Sequence, residues 1–338
     1  MKGFVCIILS VFALVAGASA QTTNPNYEVT LFGTPPPGQD IWGRPRWVAA
    51  DGKGTIVVIR PSGPPVAEAE QTPVLIFNRA GELQKTWGDG LFPNAHSVDF
   101  DDEGNLWITD RGIHMVYKYT VDGKQLLALG KKGVAGDNQS TDAFNGPTDV
   151  AFARNGDFFV SDGQADEGEG NSRVVHFSKD GEFIKIIGGT KGSGPGQFDI
   201  PHALAIDSKD RLLVVEWQEE SGSPRVQVFD QNGEFIEQWA NIGLMRPTGI
   251  AIAADDTVYI GDTAANAILV LKEGKVIDVI GGLRGRPHGV ALDPQTGEVY
   301  FADPPTALPQ QGSDNSPGVN VRVDGSLEGG LVKKIVRK

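Results

Sequence analysis

The chain has 338 residues, 40% of them hydrophobic, enough to bury the core of one large domain or two ordinary ones. A net charge of −13 argues against nucleic acid and anionic membrane as partners, and it also suits a solvated secreted surface. The single cysteine, Cys6, lies in the leader described next, so disulfides, Cys-ligated zinc, iron–sulfur clusters and thiol nucleophiles are excluded from a mature chain.

Residues 1–20, MKGFVCIILSVFALVAGASA, carry a lysine, an apolar run and then Ala-Ser-Ala. This predicts a secretory signal peptide cleaved after Ala20, and hence a secreted or periplasmic protein. The apolar run is short for a membrane span, so no membrane partner is expected once it is cleaved.

From there a strand pattern recurs. PRWVAADGKGTIVVIR (45–60), AHSVDFDDEGNLWITD (95–110), PTDVAFARNGDFFVSD (147–162), PHALAIDSKDRLLVVE (201–216), PTGIAIAADDTVYIGD (247–262) and PHGVALDPQTGEVYFAD (287–303) share one template. Each reads as an alternating strand, a Gly- or Asp-containing turn, and a more continuously apolar strand. Most units add a third strand and a turn, as in RVVHFSKDGEF, and a fourth strand such as FIKIIGG. The D-G, N-G and E-G pairs suit hairpins, because glycine reaches positive φ without steric cost.

Units spaced about 40–55 residues apart match propeller blades, and a closed ring leaves no terminal sheet edge as a solenoid would. The expected fold is all-β, a six-bladed β-propeller over residues 21–338. Its blades fall near 41–90, 91–143, 144–197, 198–243, 244–285 and 286–338. For closure of the ring, either NYEVTLFG (26–33) supplies the outer strand of the last blade or LVKKIVRK (331–338) completes it. The polar stretch TALPQQGSDNSPG (306–318) is expected to be a surface excursion.

The innermost strands line the channel, so equivalent positions form rings. One slot holds Arg46, His96, Thr148, His202, Thr248 and His288. Histidine takes alternate blades, and strand alternation sends the imidazoles to one side, where three neutral rings make an open zinc site. The competing reading is that each His or Thr only ties down the preceding loop by hydrogen bonding. His114, in a loop, is either a ligand, a support for one, or surface; His176 is read as packing. A second ring at the end of the second strand holds Arg60, Asp110, Asp162, Glu216, Asp262 and Asp303. The acids suggest a shared structural task, such as accepting backbone N–H bonds from the next blade. Arg60 either binds a substrate carboxylate or neutralises its neighbours.

The units resemble NHL repeats. FNGPTDVAFARNGDFFVSDG, NSRVVHFSKDGEFIKIIG, GQFDIPHALAI and DTVYIGDTAANAILVL are similar, more narrowly, to peptidyl-α-hydroxyglycine α-amidating lyase. That family is a six-bladed propeller that cleaves a carbinolamide C–N bond to a peptide amide and glyoxylate. The resemblance implies that His96, His202 and His288 ligate zinc and that Arg60 is the catalytic arginine. It also implies a calcium site at the carbonyls of Val48 and Val98 and at an aspartate after the third histidine. Gly289 stands there, so calcium is not expected.

Gln164 replaces the family's catalytic tyrosine and is followed by an inserted ADEGEG; Asp166, Glu167 and Glu169 are acids near enough in sequence to substitute. Glu216-Trp217 replaces the family's Ala-Asp-Arg stretch. The first reading is therefore a secreted zinc-dependent lyase acting on a small or peptide substrate. A non-catalytic propeller binding a protein, peptide or glycan is the second, and a lactonase-type metal hydrolase the third.

Overall fold

Six Pro- or Ala-led hairpins dictate six sheets, and the structure, a computed structural model, forms them. It describes residues 25–34, 43–62, 72–165, 169–217, 224–283, 285–304 and 331–338. The signal segment, the long polar loop at 306–318, and Asp166 and Glu167 lie outside the described residues. Among the described residues no helix is long and apolar enough to cross a membrane.

Twenty-four strands, numbered in chain order, form six antiparallel four-stranded sheets around a central channel. In five sheets the strands follow in sequence order from the axis outward. The sixth runs β22 (Val290–Leu292), β23 (Val299–Asp303), β24 (Leu331–Arg337) and β1 (Tyr27–Leu31) from the axis outward. The two terminal segments, which read as alternatives for closing the ring, are both used: 331–337 is the third strand and 27–31 the fourth, paired in register from Tyr27↔Arg337 to Leu31↔Lys333.

Burial follows the sequence pattern. The second strand of blade two, β7 (Leu106–Asp110), is buried at all five positions, whereas the outer β9 (Gln125–Gly130) is mostly exposed. Each fully buried Val, Leu or Ile contributes about 1.5–3 kcal/mol, so these second strands carry most of the apolar driving force. Asp51, Asp101 and Asp207 close the first hairpins of their blades by accepting two or three backbone N–H groups of the turn.

The innermost strands depart from simple alternation. The register shifts between Ala95 and Val98 in β6 (Ala95–Phe100), and between Pro147 and Asp149 in β10 (Pro147–Phe152). It shifts again between Pro201 and Ala203 in β14 (Ile200–Ile206), and between Pro247 and Gly249 in β18 (Pro247–Ile252). Each shift is a bulge at the slot residue. A bulge re-aims a side chain. The inward placement of His96 and His202 therefore comes from bulges and not from strand alternation alone.

Trp47 plugs the channel beneath that slot. It is 1% exposed, with its ring centroid 5.8, 6.3 and 5.9 Å from those of His96, His202 and His288. A Cβ on Gly289 would sit 2.6 Å from Trp47 atoms, so no side chain fits there. The Trp47 residue thus fills the space that the resemblance gives to an aspartate.

Asp99, which hydrogen-bonds Trp47, faces Asp149. Burial and the neighbouring Asp149 raise the Asp99 carboxyl well above its usual value. Burial raises Asp149 to about 7, against the backbone N–H of Leu204, which donates to it at 2.8 Å. Asp99 Oδ2 and Asp149 Oδ1 have no other partner, and one shared proton satisfies both. The folded chain thus binds a proton more tightly than the unfolded chain, whose carboxyls titrate near 3.8. The stability this contributes is complete below that value and is lost as pH rises through about 7. The melting temperature is expected to fall between about pH 5 and about pH 8, and Asp149→Asn to flatten that slope and melt higher at the alkaline end. A wild-type curve that is level or rising over the same window would contradict the shared proton.

Candidate metal centre and its cavity

Slots on alternate blades, bulged at His96 and His202 and just ahead of β22 at His288, bring the three histidines together, with exposures of 0, 0 and 8%. Their ring centroids lie 4.7, 5.1 and 5.1 Å apart, and one ligand nitrogen from each lies within 4.8 Å of the other two. His96 Nδ1 donates to the Thr148 carbonyl at 2.8 Å and His202 Nδ1 to the Thr248 carbonyl at 2.7 Å. A carbonyl only accepts, so each bond fixes the tautomer and leaves Nε2 with its lone pair. His288 is hydrogen-bonded to the backbone of Arg46.

Each histidine thus leans on the slot residue of the next blade. The ligand-side nitrogens, His96 Nε2, His202 Nε2 and His288 Nδ1, are buried and have no partner. Burial pulls His202 down to about 3, and burial with the neighbouring imidazoles and arginines holds His96 and His288 well below the ordinary imidazole value. Three neutral imidazoles with inward lone pairs are what a borderline metal ion requires. Tetrahedral zinc with zinc–nitrogen bonds of ~2.0–2.1 Å sets its nitrogens ~3.3–3.4 Å apart, and the three here already lie within 4.8 Å of one another. The residues present fit such an ion.

Beside the histidines opens a cavity of about 170 Å³. Arg44 and Arg46 line it from blade one, Arg111 from blade two, Arg246 from blade five and Arg286 from blade six, with His288 and Thr248 at its base. Gln164 and Trp217, from blades three and four, form the opposite wall. Trp217 is held between His202, at 4.9 Å, and the guanidinium of Arg246, 4.0 Å over its ring. Gln164 and Trp217 also border a second cavity of about 250 Å³ that contains Glu169, Lys191 and Asp199.

Of the sequence-predicted residues, the structure joins the three histidines, Arg46 and Gln164 in one site. Arg60 is fully buried and outside the set that lines the cavity, with Nε donating to the Thr72 carbonyl at 2.9 Å. Burial lowers its guanidinium to about 10, opposed by Asp89, so it stays charged at neutral pH. His114 sits in the turn between β7 and β8 (Met115–Tyr119) at φ 59°, away from the cluster. His176 packs on Phe159 with ring centroids 4.2 Å apart.

The acid ring is structural, but its partners differ from expectation. Asp110, Asp162, Glu216, Asp262 and Asp303 accept N–H groups from the loop leading into their own blade, at Asn94, Asn145, Asp199, Met245 and Arg286. A hairpin's second strand ends beside its own leading loop, and that proximity decides it. Glu216 is therefore no site residue: it binds Arg225 at 2.5 Å and Gln227 at 2.9 Å. Sequence reasoning missed Arg44, Arg111, Arg246, Arg286 and the cavity role of Trp217. Arg44, Arg246 and Arg286 each stand two residues before the slot of their blade, and Arg111 and Trp217 one residue after its acid, so the repeat does carry them, at positions flanking the two rings.

The fold and this centre define a six-bladed NHL-type β-propeller with three convergent histidines. No protein-family model matches the chain. In sequence it is 32% identical over 254 residues to peptidylglycine alpha-amidating monooxygenase of Rattus norvegicus, covering 69% of this chain and 25% of that protein. It is 35% identical over 183 residues to peptidyl-alpha-hydroxyglycine alpha-amidating lyase 1 of Drosophila melanogaster, covering 51% of this chain and 32% of that one. It is 29% identical over 278 residues to the human NHL repeat-containing protein 3, covering 76% and 75%. The chain thus matches about a quarter to a third of the length of its lyase-type relatives. A gluconolactonase from Xanthomonas campestris shares the fold, with a TM-score of 0.63 over 95% of this chain and 93% of that one at 13% identity.

Glu216→Ala would leave the buried Arg225 without its carboxylate, and removing one partner of a buried pair costs about 3–5 kcal/mol. Urea unfolding is expected to show that loss while metal content stays unchanged; a variant as stable as the parent would return Glu216 to the list of candidate site residues.

Proposed function

We propose that this chain is a secreted metal-dependent lyase that cleaves the C–N bond of an α-hydroxyglycine amide. The observation that carries the reading is the set of three buried, unpartnered imidazole nitrogens, one of them on His288, which lines an arginine-rich cavity. Relatives whose names include the amidating lyase support it.

In the reaction R–CO–NH–CH(OH)–COO⁻ becomes R–CO–NH₂ and glyoxylate. The hydroxyl proton leaves oxygen, the C–O bond becomes a carbonyl, the C–N bond breaks, and nitrogen takes a proton. His96, His202 and His288 would hold zinc, which when bound supplies Lewis acidity to the substrate hydroxyl. Neutral nitrogen ligands favour such an ion over calcium.

The chain's own groups do the rest. The carbonyls behind His96 and His202 keep their rings oriented, as supporting partners of metal ligands do. Guanidiniums of the cavity grip the carboxylate in bidentate fashion and fix the reacting bond. Gln164 holds the departing amide but accepts no proton. Glu169, on the same loop and in the adjoining cavity, is the described carboxylate placed to take it. Arg60 acts as a positioning residue, so Arg60→Lys is expected to raise KM; unchanged kinetics would remove it from the mechanism.

The replacement of a tyrosine by Gln164, together with the match over about three quarters of both chains to an NHL repeat-containing protein, favours one alternative, a binding propeller without turnover. The deciding experiment compares metal content of untagged protein with that of the His96→Ala, His202→Ala, His288→Ala variant. It then follows glyoxylate release from an N-acyl-α-hydroxyglycine. About one zinc per chain, lost in the variant, with glyoxylate formed, is the expected result. Zinc without glyoxylate selects the binding propeller; no zinc in either protein refutes the metal centre itself.

A further inference from the structure

Resting on the reading of the cavity beside the histidines as the substrate site, we infer that Gln164 and Trp217 recognise a secondary amide at the boundary of two cavities, with the acyl group of the ligand in the larger one. The smaller cavity, of about 170 Å³, contains His288. The larger, of about 250 Å³, contains Glu169, Ser172, Lys191 and Asp199. Gln164 and Trp217 are the two residues that line both. A ligand long enough to occupy both spaces therefore passes these two side chains. They come from adjacent blades, each just past the acid of its second strand, Asp162 and Glu216.

The polar atoms at that boundary complement an amide. Trp217 is 4% exposed, and its indole Nε1–H, which can only donate, has no acceptor. Gln164 Oε1, which can only accept, is buried without a donor, so the two do not satisfy each other. Buried polar groups are nearly always paired, and each exception calls for an explanation. A planar trans amide points its C=O and N–H in opposite directions, and so answers a donor on one side and an acceptor on the other. Trp217 is held in place between His202, at 4.9 Å, and the Arg246 guanidinium, at 4.0 Å. Gln164 is only half-buried and turns about single bonds, so it swings aside to admit the ligand and then closes on its N–H. In the proposed reaction this is the amide whose C–N bond breaks. Trp217 thereby becomes a positioning residue for the acyl carbonyl.

The test needs no turnover. N-acetylglycine, levulinate and pentanoate have the same chain length and the same single charge. Levulinate replaces the amide N–H by a methylene, and pentanoate also lacks the C=O. Each would be titrated into the whole protein, with the indole N–H signals of its six tryptophans followed by NMR and that of Trp217 assigned with Trp217→Phe. N-acetylglycine is expected to bind at least about threefold more tightly than levulinate, and levulinate at least about threefold more tightly than pentanoate. The Trp217 N–H signal should move downfield with the first two ligands and not with the third. Gln164→Met should abolish the first preference alone and Trp217→Phe the second alone, a split that loss of packing would not produce. Equal affinities, no binding of any of the three, or an unmoved Trp217 signal would overturn the inference while leaving zinc binding and glyoxylate release untouched. The same order of affinities in a protein that releases no glyoxylate would support amide recognition and overturn the lyase reading alone.

Discussion

The hydrogen bond from an imidazole to the backbone of the next slot residue is the constraint on which this molecule turns. His96 reaches the carbonyl of Thr148 and His202 that of Thr248, while His288 reaches the backbone of Arg46. Thr148 and Thr248 pass the link on, their hydroxyls donating to the carbonyls of Pro201 and Pro287 just before the next histidines. A belt of polar contacts therefore runs from blade two around the axis to blade one at the height of the candidate site, tying each blade along that path to the next. Singly, such bonds add about 0.5–1.5 kcal/mol. Their larger effect is on chemistry, since they choose the tautomer, face the lone pairs inward and let burial keep the rings neutral.

Ring closure and site assembly are coupled by the same geometry. The sixth blade supplies His288 and is built from both ends of the described chain, β24 inside β1. Opening that blade would remove one imidazole and the support that blade one gives it. Trp47 adds a second link, because it touches all three imidazoles and occupies the space that Gly289 leaves. Blade one thus contributes no ligand and yet sets the floor of the centre.

The repeat made much of this legible. Templates that could be superposed exposed the slot, and the histidines on alternate blades stood out against arginine and threonine. The bulges were invisible, because a bulge is a matter of pairing register and not of residue type. The acid ring was visible while its partners were not, since choosing between own-blade and next-blade N–H groups needs the path of the loop. Arg44, Arg246 and Arg286 recur two residues before the slot and Arg111 follows the acid of its blade, but only the closed ring brings them to one cavity with Arg46. Asp99 and Asp149 belong to different blades at different offsets, so their meeting across the channel had no sequence signal.

Charge explains why a cationic cavity can function in an acidic chain. The net charge of −13 is spread over the surface, and at physiological ionic strength fields between exposed charges fade within about 8 Å. An anion approaching the rim is therefore governed less by the sum over the chain than by the groups nearest it. Those are guanidiniums on one side, an indole and an amide on the other, and the His288 imidazole. Recognition at the rim is then a short-range and geometric matter. It is the property that a ring of blades, each adding one residue from its own loop, is suited to build.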